Sequence, residues 1–166
     1  MNKYLTYLEF RTGYYRNLTV CKNLLESLNN CQQRDSEYIK HKTYYLAGYI
    51  IEFCYKFALF SHLKLKKTEN IYSFGNEGFK KKWKEHSFGK LQNICSEEKL
   101  LFSQDIPFFG SPIADKDVKK LIENWDVQIR YSLNLTNSKI ELEKDTLRKL
   151  INELQIIADK ITSKYS

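Results

Sequence analysis

Three histidines, His41, His62 and His86, are the side chains best suited to move a proton near neutrality. An imidazole can take a proton from a hydroxyl or return one to a leaving oxygen, and a nearby arginine can hold a phosphate's charge without a metal. Arg34 and His41 have six residues between them in RDSEYIKH, so on a helix they stand two turns apart on one side. The ordinary account of that spacing is coincidence in a chain with 27 basic residues. His62 closes an apolar stretch, where it would complement a helix C-terminus. His86 reads as a packing or capping residue unless another element brings it a partner.

Glu52 lies in a mainly apolar stretch and so requires a counter-charge. Lys56, four residues on, is in the favourable acid-first order for a helical ion pair. Arg130 is the other candidate, since a guanidinium can hold a carboxylate with two hydrogen bonds. A structural pairing of Glu52 explains it more simply than acid–base chemistry does. The four cysteines, Cys21, Cys31, Cys54 and Cys95, show no paired short spacing, so neither a zinc site nor a redox motif is expected. No glycine-rich phosphate loop is present, and no cofactor is implied.

The third chemical feature is charge. Between His62 and Lys84 there are seven lysines, Lys64, Lys66, Lys67, Lys80, Lys81, Lys82 and Lys84, against Glu69 and Glu77, which leaves +5 of the chain's +7. Lysines at that density, with Trp83 among them, could meet a phosphate backbone and stack a base. A solvated loop and helix face is the plainer reading.

These residues must be held by a helical framework. The chain has 166 residues, 42% hydrophobic, with only six glycines and two prolines, which fits one domain with a real core and disfavours a β-sandwich. Leu18, Cys21, Leu24, Leu25 and Leu28 recur at helical spacing after a short extension over 1–16. From about Asp35 to Leu63 runs a long second helix, apolar on nearly every side beyond Tyr44, and therefore the one its neighbours surround. Gly48 would let a neighbouring helix come close. Lys56 at a bilayer centre would cost roughly 2.5–3.5 kcal/mol, so this helix is expected in a bundle and not in a membrane.

A polar loop over 68–78 precedes a third helix expected from Phe79 to Cys95. SQDIPFFGSPIAD holds both prolines and reads as a long loop. Asp115 or Asp117 caps a fourth helix that carries Val118, Leu121, Ile122 and Trp125. Ser138 and Glu141 form a capping-box pattern before a last helix with Ile140, Leu147, Leu150, Leu154, Ile157 and Ile161 on one stripe. About five helices, no strand and a single domain over 1–166 follow. With no signal-peptide pattern in MNKYLTYLEFRTGYYRN, a cytoplasmic protein with reduced cysteines is expected.

Three of these segments carry a resemblance. YYLAGYIIEFCYKFAL resembles the long-helix signature of the HEPN superfamily, in the bacterial branch with an A-x-x-L-A-G-Y-x-x-E-x-x-x-K-like pattern. HSFGKL, from His86 to Leu91, is similar to the short element that follows it, and WDVQIRYS, from Trp125 to Ser132, is similar to the W-x-x-x-x-R-Y element before the final helix. They occur in that order and cover roughly residues 34–160. The resemblance implies an all-α HEPN-like bundle and an RNA-linked role in bacterial defence or toxin–antitoxin biology. Homodimers or a cognate protein partner are implied as well.

Catalytic members of the superfamily are metal-independent endoribonucleases whose motif is an arginine followed, after four to six residues, by histidine on a late helix. Here the late position carries Arg130, but RYSLNLTN supplies no histidine. The motif is therefore expected to be degenerate, and the protein alone to lack robust ribonuclease activity. Any nuclease site would use Arg130 and Tyr131, completed in space by His86 or by His41 with Arg34. An active endoribonuclease and a structural subunit of a larger defence complex are the alternative readings.

Overall fold

The computed structural model describes residues 4–100, 115–130 and 141–166. Among them every regular element is helical. There are six α-helices, α1 (Leu8–Ser27), α2 (Gln33–His62), α3 (Glu77–Trp83), α4 (Phe88–Glu97), α5 (Lys116–Glu123) and α6 (Lys144–Tyr165), with single 3₁₀ turns at Ile71–Ser73 and Val127–Arg130.

The centre of the bundle is made by α1, α2 and α6. Polar contacts fix the direction of α6 along α1. Lys22 Nζ donates to Gln155, Tyr15 Oη donates to Asp159, and Arg11 reaches Ser166, so residue numbers rise along one helix as they fall along the other. Tyr14 and Thr162 share a hydrogen bond in the same seam. At the far end of α2, Ser61 Oγ donates to the carbonyl of Tyr165, so α2 and α6 run the same way. Helix α2 is enclosed on most sides, which is why its apolarity goes almost all round: Ile50, Ile51, Cys54, Tyr55, Phe57, Ala58, Leu59 and Phe60 are all buried.

No strand is found among the described residues, and none of their helices is long and apolar enough to cross a membrane. All four cysteines are free; Cys21, Cys54 and Cys95 are buried, and burial pushes the Cys21 and Cys95 thiols up to about 12.

The structure revises several expectations. The first helix takes in most of the segment read as an extension: α1 starts at Leu8, and Tyr7, Phe10 and Tyr14 already belong to the core. The third helix is two helices, because the chain leaves the helical path after Trp83 and resumes at Phe88. The last helix opens at Lys144, so Glu141 stands outside it, while Ser138 lies outside the described residues. So does most of the proline-containing stretch, 103–114. Asp115 does cap α5, accepting from the backbone N–H of Asp117 and Val118 at 3.0 and 3.1 Å.

Two helix ends share a device that the sequence did not announce. Lys64 and Lys99 both have φ of 58°, in the left-handed region. After α2, Leu65 N–H bonds to Phe60 O and Lys64 N–H to Ser61 O; after α4, Leu100 N–H bonds to Cys95 O and Lys99 N–H to Ser96 O. Each is a Schellman cap with lysine where glycine is usual, and each is followed by a buried leucine that anchors it.

Candidate functional site

On α2, Tyr45, Tyr49, Glu52 and Lys56 succeed one another at four, three and four residues, the spacing that keeps side chains on one helical face. The chain between α3 and α4 crosses this face and delivers His86. The chain after α5 crosses it one turn earlier and delivers Trp125, then Arg130 at the end of its 3₁₀ turn.

Glu52 is 1% exposed and carries two partners. Lys56 Nζ donates to Oε1 at 2.6 Å, and His86 Nδ1 shares a hydrogen bond with Oε2 at 2.9 Å. The ammonium of Lys56 also stands 5.8 Å above the Trp83 ring, whose face suits a cation cut off from water. His86 is held in place from both sides of the chain. Trp83 anchors the segment before it in the core, and Phe88 after it stacks on Trp125, with ring centres 4.8 Å apart and planes 9° from parallel.

Trp125 in turn lies against Gly48 and donates its indole N–H to the carbonyl of Tyr45 at 3.3 Å. The close approach that Gly48 permits is therefore that of an indole ring and not of a neighbouring helix. The Tyr49 ring stands between these groups, 6.2 Å from His86 and 5.7 Å from Trp125. Tyr45 Oη and Tyr49 Oη share a hydrogen bond of 3.2 Å. Burial first, then the bond and charge of Tyr45 and the charge of Glu52, raise the Tyr49 phenol well above its ordinary range, while the Arg130 guanidinium pulls it the other way.

The remaining candidates lie elsewhere. Helix α2 begins at Gln33, so Arg34 and His41 are on one helix two turns apart, Arg34 exposed and His41 half-buried. His41 is eleven residues before Glu52, about 16 Å along the helix axis, too far to join His86 there. His62 Nε2 bonds to the carbonyl of Glu98 at 3.0 Å and so ties the end of α2 to the end of α4. Tyr131 lies outside the described residues.

The lysine segment is only partly available. Lys80 pairs with Glu77 at 2.9 Å, and Lys82 pairs with Glu97. The lysines around Glu77 hold its carboxyl below the usual range, Lys80 first through its hydrogen bond. Lys84 lies over the Tyr72 ring at 5.7 Å, while Lys64, Lys66, Lys67 and Lys81 extend from exposed positions. Lys81 and Lys82 line an open cleft of about 300 Å³ with Glu85, Lys90, Asn93, Ile94 and Glu97.

Trp83 cannot stack a base in this arrangement. It is 3% exposed and packed among Phe60, Tyr72 and Phe10, with ring centres 5.5, 5.6 and 6.5 Å away. Its apolar ring contributes more by filling the core than by standing in water.

Sequence reasoning named Glu52, Lys56, His86 and Arg130 but missed the two tyrosines between them. The signal was there: polar types at 45, 49, 52 and 56 trace one face of an otherwise apolar helix. Among the described residues no group of three or more histidine, cysteine, aspartate or glutamate side chains gathers as a metal would require. In comparisons with known proteins, no family model, no curated protein and no solved structure matches the chain.

Proposed function

We propose that the chain is a HEPN-like protein of the bacterial defence or toxin–antitoxin kind, acting in the cytoplasm, associated with RNA or a cognate protein partner and carrying a degenerate nuclease motif. One observation supports the reading above the others. The three segments that carry the resemblance, distant in sequence, converge on the middle of α2: Trp125 on Gly48, His86 on Glu52 and Phe88 on Trp125.

RNA contact falls to the exposed lysines, Lys64, Lys66, Lys67, Lys81 and Lys84, which offer charge without sequence preference. The test is fluorescence anisotropy with a labelled single-stranded oligoribonucleotide at low salt. Replacing Lys66, Lys67, Lys81 and Lys84 together by glutamine is expected to weaken binding at least tenfold. Equal binding by the variant would remove this surface from the proposal.

Self-association or a protein partner belongs to the same reading, though not on the ground that the apolar surplus overflows the core. Among the described residues only Tyr4, Val20, Tyr38 and Ile156 are exposed large apolar side chains, and the core absorbs the rest. Sedimentation at micromolar concentration that returns only the monomer would reject a homodimer. Of the alternatives, an active metal-independent endoribonuclease gains from the geometry of His86 beside Glu52, with the charge of Arg130 on the adjoining tyrosine.

A further inference from the structure

Two lysines hold a backbone conformation that glycine would hold without strain, and they do so at neighbouring places. Lys64 and Lys99, each at φ of 58°, close α2 and α4, and the bond between His62 Nε2 and the Glu98 carbonyl ties those two ends together. The left-handed conformation is costly for a residue with a Cβ, and non-glycine residues kept in it gather at sites of function. Among the described residues nothing offsets that cost. Each cap closes through backbone N–H groups alone, and neither ammonium has a partner. Complementing a helix dipole does not need this position either, because a lysine elsewhere in the last turn would serve.

The same end of the bundle is basic. Lys66 and Lys67 follow Lys64 at exposed positions, against Glu69 and Glu98, both half-buried, while Glu97 is engaged by Lys82. Buried Leu65 and Leu100 pin the two caps, so the backbones of Lys64 and Lys99 are fixed and only their four-carbon stems swing. Ammonium groups act on phosphate as point charges, and several together suit an anion of several charges. We propose that the joined ends of α2 and α4 form a binding site for a polyphosphate anion, held by Lys64 and Lys99 and flanked by Lys66 and Lys67. The phosphates can belong to a free anion or to a single-stranded RNA. The site goes beyond the RNA reading above, since Lys99 stands outside the lysine segment and a free polyphosphate requires no RNA.

The test uses the full chain and inorganic triphosphate, titrated by calorimetry. Lys64→Gly with Lys99→Gly removes both side chains and gives the backbone the residue it favours, so the thermal midpoint is expected to hold or rise. Triphosphate affinity is expected to fall roughly tenfold or more, for the loss of two charge-assisted hydrogen bonds. Lys116→Gln with Lys120→Gln makes the same change of net charge on α5. That helix lies against Tyr44, eighteen residues before His62 and about 27 Å from it along α2. Salt screens charges at such a distance, and a change of no more than about twofold is expected.

Absence of triphosphate binding by the wild type overturns the proposal. Equal losses in the two variants mean an adventitious ion only and overturn it as well. So does a lower midpoint in the glycine variant, because the lysines would then serve the helix ends. Competition with a labelled oligoribonucleotide separates the two sources. Triphosphate that displaces the RNA puts the RNA's phosphates on this site, and triphosphate that binds alongside it assigns the site to the free anion. Failure of RNA to bind at all removes the RNA reading and leaves the triphosphate site standing.

Discussion

A Cβ placed on Gly48 would stand 1.8 Å from Cε2 of Trp125. The indole fills the space a side chain would need, and that contact joins the centre of α2 to the segment that follows α5. Gly48→Ala gains helix propensity but must expel the ring, with its stack on Phe88 and its bond to the Tyr45 carbonyl. We expect a net loss of roughly 1–3 kcal/mol, measured by thermal unfolding. An unchanged or higher midpoint would mean that the ring can move aside freely.

The Lys56–Glu52 pair should be fragile singly and replaceable doubly. Lys56→Met alone leaves a buried carboxylate without its ammonium, and urea unfolding should register a loss of about 3–5 kcal/mol. Methionine at both positions should recover most of it. Equal losses in the single and double variants would show that the charges are solvated in the folded protein.

Lys99 adopts a conformation that favours glycine. Lys99→Gly should relieve the left-handed strain at some entropic cost in the unfolded chain, for a net gain of about 0.5–1 kcal/mol. A loss in denaturant titration would mean that the lysine side chain contributes more there than its backbone costs.

Much of the helical framework was legible because periodicity reports burial directly. Helix α2 could be read as central from apolar residues on all its sides. The break between α3 and α4 was also written in the spacing, since Trp83 and Phe88 are five apart where a continuous helix would repeat at three or four. It went unread because the later residues, Leu91 and Cys95, resume the period. The early start of α1 was masked by its tyrosines, whose rings pack as apolar groups while Tyr14 and Tyr15 keep their hydroxyls on Thr162.

The site was less legible, for a physical reason. Lys56 is a local partner of Glu52, within one helical turn, and local spacing identifies it. His86 is 34 residues away and reaches Glu52 only because Trp83 and Phe88 pin the chain on either side. No periodicity encodes a contact of that range. Trp83 illustrates the converse: lysines around it in sequence suggested a surface ring, yet successive residues on a helix point about 100° apart, and this one faces inward.

The central claim, that the exposed lysines meet a phosphate backbone, is tested most directly by the salt dependence of RNA binding. Lys80 and Lys82 are engaged by Glu77 and Glu97, which leaves Lys64, Lys66, Lys67, Lys81 and Lys84 to make the contact. With about four phosphates neutralised on a single strand, the logarithm of the association constant should fall against the logarithm of salt concentration with a slope near −3. Binding that is absent at low salt, or that does not change as salt is raised, would contradict the claim and leave the lysines as ordinary solvated charge.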